Sequence, residues 1–187
     1  MRFNNIKKIL KNKNGFSDAI TVVPLVLVAM VLIVFFINLA SYAQKYLAVK
    51  KATDNLLQII CRQGHITATI PSYFPGALVN GVNKQDDQYW VHSEMMDYIE
   101  DTFNNAGIND YNVHVKFDKL TNGKSKTIKD LEAHNASSGN IISEYGEKIT
   151  VTISYKYKWS TGAETEVVTS RVGLSEYSYR DGDWASQ

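Results

Sequence analysis

Residues 19–37 read Ala19-Ile-Thr-Val-Val-Pro-Leu-Val-Leu-Val-Ala-Met-Val-Leu-Ile-Val-Phe-Phe-Ile37, and none of these side chains is charged. A helix rises about 1.5 Å per residue and the hydrocarbon core of a bilayer is about 30 Å thick, so roughly 20 apolar residues can cross it. The next residues, Asn38-Leu39-Ala40, extend the run. A buried strand would be much shorter. The run therefore predicts one transmembrane helix.

The charge around this run predicts its orientation. The segment before it contains no acid up to Ser17 but has five basic residues: Arg2, Lys7, Lys8, Lys11 and Lys13. Basic residues of this density mark the cytoplasmic side of a membrane helix. We therefore divide the chain into a cytoplasmic basic leader (1–17), a transmembrane helix (18–41), a helix extension (42–64) and an extracytoplasmic domain (65–187). The expected location is the cell membrane, with a single pass.

A cleaved secretory signal peptide is the alternative interpretation of the N-terminal region. Ser41-Tyr42-Ala43 is a small-x-small triplet, and a cut after it would leave a protein that starts at Gln44. The apolar part of a signal peptide is usually about 7–15 residues long, which is shorter than this run. The helical pattern also continues past Ala43. Both observations favour a retained helix.

Beyond the apolar run, large side chains continue at alternating steps of three and four residues. Such spacing keeps them on one side of a helix. We call this set the packing seam, and it consists of Leu39, Tyr42, Tyr46, Val49, Leu56 and Ile60. Thr53 continues the same spacing between Val49 and Leu56. Arg62 and Gly64 supply a basic last turn and a C-terminal cap, so one helix is expected from about Asp18 to Arg62. The seam has two possible partners, the chain's own outer domain and neighbouring copies.

The remainder of the chain predicts a small α+β domain with an antiparallel sheet. Ser93 is a candidate cap for a helix that reaches Asn105, with Met96, Ile99 and Phe103 on one face and Gly107 at its end. Apolar and polar residues alternate in two stretches, and a turn then leads into a further strand. The expected strands are 113–117, 149–159 and 164–174. Long loops are expected at 66–92 and 119–146, the second with a short element near Ile128–Leu131, and frayed residues at 180–187.

No constellation of residues predicts chemistry. The four histidines, His65, His92, His114 and His134, fit no metal-ligand spacing, and no nucleophile or phosphate-binding motif is present. A net charge of +1 without a basic stripe gives no sign of nucleic-acid binding. Cys61 is the only cysteine, so no internal disulfide forms, and its apolar neighbours favour a buried thiol. We therefore expect no catalytic residue, no metal and no cofactor, with an exported enzyme as the weaker alternative.

The leader junction carries a more specific signal. Lys11-Asn-Lys-Asn-Gly-Phe-Ser-Asp18 places a basic leader, a Gly15–Phe16 bond and an acid directly before the apolar helix. This resembles the leader junction of type IV prepilins, which a membrane peptidase cuts after a glycine. The stretches 46–66 and 173–180 also resemble the helix exit and terminal strand of TadE-like minor pilins and of related single-pass proteins of Gram-positive bacteria, found with Tad-type pilus or conjugation machinery.

The resemblance implies a structural subunit that works by helix packing, with the membrane, other pilin-like or machinery subunits and possibly further copies of itself as partners, and a prepilin-type peptidase as processing enzyme. After a cut at Gly15, Ile20 stands fifth, where main-class pilins have Glu, and Asp18 stands third. Two roles for Asp18 remain open. It either pairs in an assembly with the new amine of Phe16 on a neighbour, or caps the helix at the membrane surface. A permanently anchored accessory or binding module of a secretion or conjugation machine is the alternative function.

Overall fold

The computed structural model describes residues 13–67, 90–118, 125–128, 130–131, 141–143 and 145–176. They form two compact units, Met1–Tyr42 and Ala43–Gln187. The helices are α1 (Lys13–Gln63) and α2 (His92–Ala106). The strands are β1 (His65–Ile66), β2 (Tyr111–Asp118), β3 (Ser125–Ile128), β4 (Ile141–Ile142), β5 (Lys148–Lys158) and β6 (Glu164–Leu174). The predicted α+β class, with a long N-terminal helix and a small antiparallel sheet, is confirmed.

The first unit holds the apolar part of α1. Among the described residues, one helix is long and apolar enough to cross a membrane, which supports membrane anchoring as the sequence predicted. The helix continues through Pro24, which lies near its start. Helical backbone extends past the predicted start at Asp18 to Lys13, the first residue that the structure describes.

The second unit is a four-stranded antiparallel sheet with helices on one face. The strand order is β3-β2-β5-β6, with Val113 opposite Ile153 and Val151 opposite Arg171. Burial alternates along β5, so that every second side chain enters the core. The outer half of α1 contributes Val49, Ala52, Leu56 and Ile60 to this core, all with no exposed area. Helix α2 contributes Met95, Ile99 and Phe103.

The start and the inward face of α2 differ from the prediction. We expected Ser93 as the cap and Met96 on the buried face. The helix instead begins at His92, where the Glu94 carboxylate accepts a hydrogen bond from the Val91 amide at 3.1 Å. Met95 is fully buried, whereas Met96 is only half-buried, because packing on the sheet selects the face that carries Ile99 and Phe103. The predicted C-terminal cap, Gly107, is confirmed by its left-handed φ of 68°.

Backbone hydrogen bonds from Gly64 and from two distant parts of the chain satisfy carbonyl groups at the C-terminal end of α1. Gly64 has a φ of 63°, and its amide donates to the carbonyl of Ile60 at 2.8 Å. The Glu176 amide donates to the Cys61 carbonyl at 2.8 Å, and the Ser143 amide donates to the Gly64 carbonyl at 2.7 Å. The last carbonyls of a helix have no partner within the helix, so these bonds hold the end of α1 against the sheet domain.

Two short strands, β3 and β4, lie in the region 119–146, where a long loop was expected. Strand β3 pairs with β2, with Val115 opposite Ile128, and β4 pairs with β1, with Ile66 opposite Ile141. Ile128 and Leu131, the predicted short element, are buried. Most of the predicted loop at 66–92 and all of the predicted frayed end at 180–187 lie outside the described residues.

Candidate functional site

The apolar surface of the first unit is the most unusual surface of the described chain. From Val22 to Ile37 its large apolar side chains are between 41% and 68% exposed. A water-soluble domain covers such residues, and large contiguous apolar patches mark contact with protein or membrane. The phenyl rings of Phe35 and Phe36 contact each other edge to face, with centroids 5.8 Å apart. The chain itself therefore leaves this surface for lipid or for another protein.

The three residues predicted for processing and assembly all lie at the start of α1. Gly15, Phe16 and Asp18 all belong to this helix. The Gly15–Phe16 bond thus has helical backbone. Asp18 lies beyond the first described turn of α1, which holds no acid. The helix dipole acts mainly on the first turn, so it gives the Asp18 carboxylate little stabilisation at this position.

The packing seam is divided between buried and exposed residues. Val49, Leu56 and Ile60 have no exposed area and form part of the core of the second unit. Leu39 and Tyr46 are 44% and 38% exposed, and Tyr42 is half-buried. The C-terminal part of the seam therefore packs in the core of the protein's own sheet domain, while Leu39 and Tyr46 remain accessible to solvent or to a partner.

Polar contacts that the sequence did not indicate join the helix extension to the domain. The amide of Gln63 donates to the Trp90 carbonyl at 3.0 Å and accepts from the Trp90 amide at 3.1 Å. Nδ2 of Asn55 lies 2.6 Å from the hydroxyl of Tyr98. These partners are separated by 27 and 43 residues in sequence, so no local pattern could have revealed them.

An ion pair adds a contact between α1 and the edge strand β6. Nε of Arg171 donates to the Asp54 carboxylate at 2.7 Å, and both side chains are more than a third exposed. Exposed pairs of this kind contribute between zero and about 1 kcal/mol. The pair therefore helps to orient α1 on the sheet more than it stabilises the fold.

Cys61 faces Gly173 of β6 at a very close approach of helix and strand. A Cβ atom at Gly173 would lie only 2.6 Å from the Cys61 sulfur. Burial, and to a lesser extent the carboxylate of Glu176, raises the pKa of the Cys61 thiol to about 11. The thiolate is the reactive form of cysteine, so this side chain is suited to packing rather than to nucleophilic chemistry.

A polar depression of about 450 Å³ lies beside α2. Its lining includes Met96, Glu100, Asn104, Asp110 and Tyr111. The Lys156 ammonium lies 3.6 Å from the Asp110 carboxylate, and both groups are strongly exposed. No group of three or more His, Cys, Asp or Glu side chains is placed to hold a metal within the described residues. The depression therefore offers no arrangement that indicates catalysis.

Comparison of the chain with protein-family models, curated proteins and solved structures finds no match. The resemblance to TadE-like proteins accordingly depends on the leader junction and the two short stretches alone.

Proposed function

We propose that this protein is a pilin-like, TadE-like structural subunit of a cell-envelope pilus, secretion or conjugation assembly. It would act by helix packing rather than by catalysis. The observation that carries the proposal is the division of α1, whose apolar part leaves its side chains more than 40% exposed while its last part is built into the sheet domain. This arrangement allows a folded head to be attached to a helix that can exchange lipid for protein neighbours.

The topology of the proposed subunit follows from charge. The five basic residues before Gly15 would remain in the cytoplasm, and the sheet domain would lie on the outer side. No Asp, Glu, Lys or Arg occurs between Asp18 and Lys45, so the span is free of charge throughout. In this orientation the Gly15–Phe16 bond would be within reach of a peptidase that acts on the cytoplasmic side.

Assembly would use the parts of the helix that its own domain leaves open. Leu39 and Tyr46 are exposed members of the packing seam, and the apolar residues from Val22 to Ile37 provide a surface around the helix. Helices in lipid associate by close packing and by polar contacts, because lipid tails are as apolar as leucine side chains. A carboxylate at Asp18 paired with the amine of Phe16 on a neighbour would be such a polar contact.

The second candidate function, a permanently anchored accessory module, is favoured by the helical backbone at the leader junction. The Gly15–Phe16 bond lies within α1, and a helical segment must unwind before a peptidase can cleave it. A leader that stays helical would remain attached, and the protein would then serve a machine without entering a polymer.

Mass spectrometry of the N-terminus of the protein isolated from its native membrane separates these functions. A chain that starts at Phe16 supports the pilin-like subunit. A chain that keeps Met1–Gly15 contradicts it and supports the permanent anchor. A chain that starts at Gln44 contradicts both, because it would have been released as a secreted protein.

A further inference from the structure

Strand β6 forms one edge of the sheet in the part of the chain that the structure describes. It is 11 residues long and contains no proline. The unpaired N–H and C=O groups of an edge strand are a template for pairing with another strand, so proteins usually keep edge strands short or interrupt them. The long edge of β6 is therefore a candidate interaction surface.

Hydrogen bonds at both ends of β6 show which of its residues point away from β5. Before the strand, the Trp159 amide donates to the Ala163 carbonyl at 2.8 Å. After it, the Ser175 amide donates to the Glu147 carbonyl at 2.8 Å. Bonded positions alternate along an antiparallel pair, so the odd-numbered residues of β6 bond to β5. The even-numbered residues, from 164 to 174, therefore direct both backbone groups away from β5.

These outward backbone groups are accessible. Every even-numbered residue of β6 is exposed. Among the described residues, a single one of these groups is engaged: the Ser170 carbonyl accepts a hydrogen bond from Nη1 of Arg171 at 3.1 Å. A carbonyl oxygen has two lone pairs, so this one can also accept from an added strand. The edge can therefore form a second ladder of hydrogen bonds along its length.

Exposed apolar side chains occupy the second half of this edge. Val168, Val172 and Leu174 are between 55% and 59% exposed, and their spacing of two and four residues places them on one face of the strand. No even-numbered residue from 168 to 174 is charged. Charged side chains are a common protection of edge strands, and this half lacks them on its exposed face. It therefore favours apolar residues on a pairing strand.

The first half of the edge selects the charge of a partner. Glu164 and Glu166 are exposed, and they lie opposite Lys158 and Lys156 of β5. Strand β5 thus places a basic residue across from each acid. The open side has the same requirement, because opposite charges in directly opposed positions are stabilising and like charges are destabilising. A pairing strand therefore carries basic residues at this end.

We propose that the open edge of β6 binds an extended, basic and apolar segment of another protein, which joins the sheet as a further antiparallel strand. Backbone hydrogen bonds supply the affinity in this mode of binding, and alternate side chains supply the specificity. Apolar residues of the segment would lie opposite Leu174, Val172 and Val168, and basic residues opposite Glu166 and Glu164. This partner is additional to the helix neighbours of the proposed function, and its site is the same in a cleaved and an uncleaved chain.

Two synthetic peptides test the edge in the detergent-solubilised full-length chain. The lysine probe is Val-Thr-Val-Thr-Thr-Thr-Val-Thr-Lys-Thr-Lys with a fluorescent label at its N-terminus. The glutamate probe has glutamate in place of both lysines. Fluorescence anisotropy measures the binding of each.

Three variants of the protein complete the test. Val172→Pro removes an outward N–H that β5 does not use, a position at which an edge strand tolerates proline. Its matched control is Ser160→Pro, at the first central position of the turn in which the Gly162 amide donates to the Trp159 carbonyl at 2.9 Å, where proline is favoured. Glu166→Lys changes the charge of the edge and keeps its backbone groups. Circular dichroism verifies that each variant is folded.

We expect the lysine probe to bind the wild type and Ser160→Pro equally, and to bind Val172→Pro at least about tenfold more weakly, because a hydrogen bond is lost and the proline ring blocks the close approach of a strand. The wild type should prefer the lysine probe to the glutamate probe, and Glu166→Lys should reduce this preference.

No binding of the lysine probe to the wild type, equal binding to Val172→Pro, or equal affinity of the wild type for both probes overturns the proposal. A dimer of the wild type that Val172→Pro abolishes also overturns it, because a second copy would then occupy the edge. The proposed function is tested by the mass of the N-terminus, so the two proposals can fail separately.

Discussion

At the scale of single residues, the approach of Gly173 to Cys61 gives the most direct prediction. Gly173→Ala places a Cβ 2.6 Å from the Cys61 sulfur, which is far closer than real contacts allow. We expect a loss of about 1–3 kcal/mol in the free energy of unfolding, as for other overpacked cores. Thermal unfolding of the detergent-solubilised chain, followed by circular dichroism, measures the loss.

The control for this substitution is the same change in a Cys61→Ala background. Removal of the sulfur opens the space that the new methyl group needs, so Gly173→Ala should then cost much less. An equal cost in both backgrounds would show that the strand backbone, not the sulfur, sets the penalty.

Cys61 also predicts a pH dependence. Burial raises the pKa of the folded thiol from 9.0 to about 11, so the folded state holds the proton more tightly than the unfolded state. The resulting stabilisation is complete below about pH 9 and is lost as the pH rises to about 11. Unfolding measured across this range should show a steeper loss of stability for the wild type than for Cys61→Ala. Parallel curves for the two proteins would contradict the prediction.

Residue-level prediction from the sequence succeeded where side chains are apolar and periodic. Cys61 is buried as expected, and the seam residues Val49 and Leu56 lie in the core. Gln63 and Ser143 were not singled out, although both are buried. Each is a polar residue whose burial depends on hydrogen bonds to distant backbone groups, 27 residues away for Gln63 and 79 for Ser143, and periodicity carries no information on such partners.

At the scale of secondary-structure elements, the end of α1 is the point where helix and domain are joined. Gln63 is 2% exposed and holds both backbone groups of Trp90. Gln63→Ala leaves these groups without their partner and should lower the free energy of unfolding by about 1–3 kcal/mol. The matched control is Gln58→Ala, an exposed glutamine on the same helix, which should change stability by less than about 0.5 kcal/mol. Similar losses for both substitutions would mean that helix propensity, not the Trp90 contact, determines the effect.

The elements that the sequence predicted are the long ones. Strands β2, β5 and β6 and both helices overlap the expected positions, since each is long enough for its apolar pattern to be recognised. Strands β1 and β4 have two residues each, and β3 has four, which is too short for alternation to be detected. These short strands form by pairing with a neighbouring strand, β1 with β4 and β3 with β2. That pairing depends on the tertiary fold, so the local sequence does not reveal it.

At the scale of the whole molecule, the chain combines an apolar helical segment, residues 22–37, whose large side chains are exposed, with a domain that buries its own apolar side chains. Length and the absence of charge made the helix predictable, and both are local properties. The proposed function depends on contacts between α1 and a second molecule. The sequence of one chain determines only the surface that this chain contributes to such contacts.

Topology is the first prediction at this scale. The basic leader should lie in the cytoplasm and the sheet domain outside, so protease added to intact protoplasts should digest the chain after about Leu47 and spare the lysine-rich head. Antibodies against tags at either terminus identify the surviving fragment, and protoplasts opened with detergent provide the control in which both ends are digested. Protection of the C-terminal domain in intact protoplasts would reverse the assigned orientation.

The last prediction separates processing from assembly at the leader junction. Asp18 is the only acid in the first 53 residues and stands where the apolar run begins. Gly15→Leu should block a peptidase that needs a small residue before the cut and should leave a longer precursor, visible by mass. Asp18→Ala should still be cleaved but should fail to enter a crosslinked assembly, because the charge pair with the amine of Phe16 is lost. If Asp18 has no partner in an assembly, assembly of the variant is normal. Normal assembly of Asp18→Ala would thus remove this carboxylate from the mechanism, and a wild-type chain that keeps its leader would favour the permanent anchor.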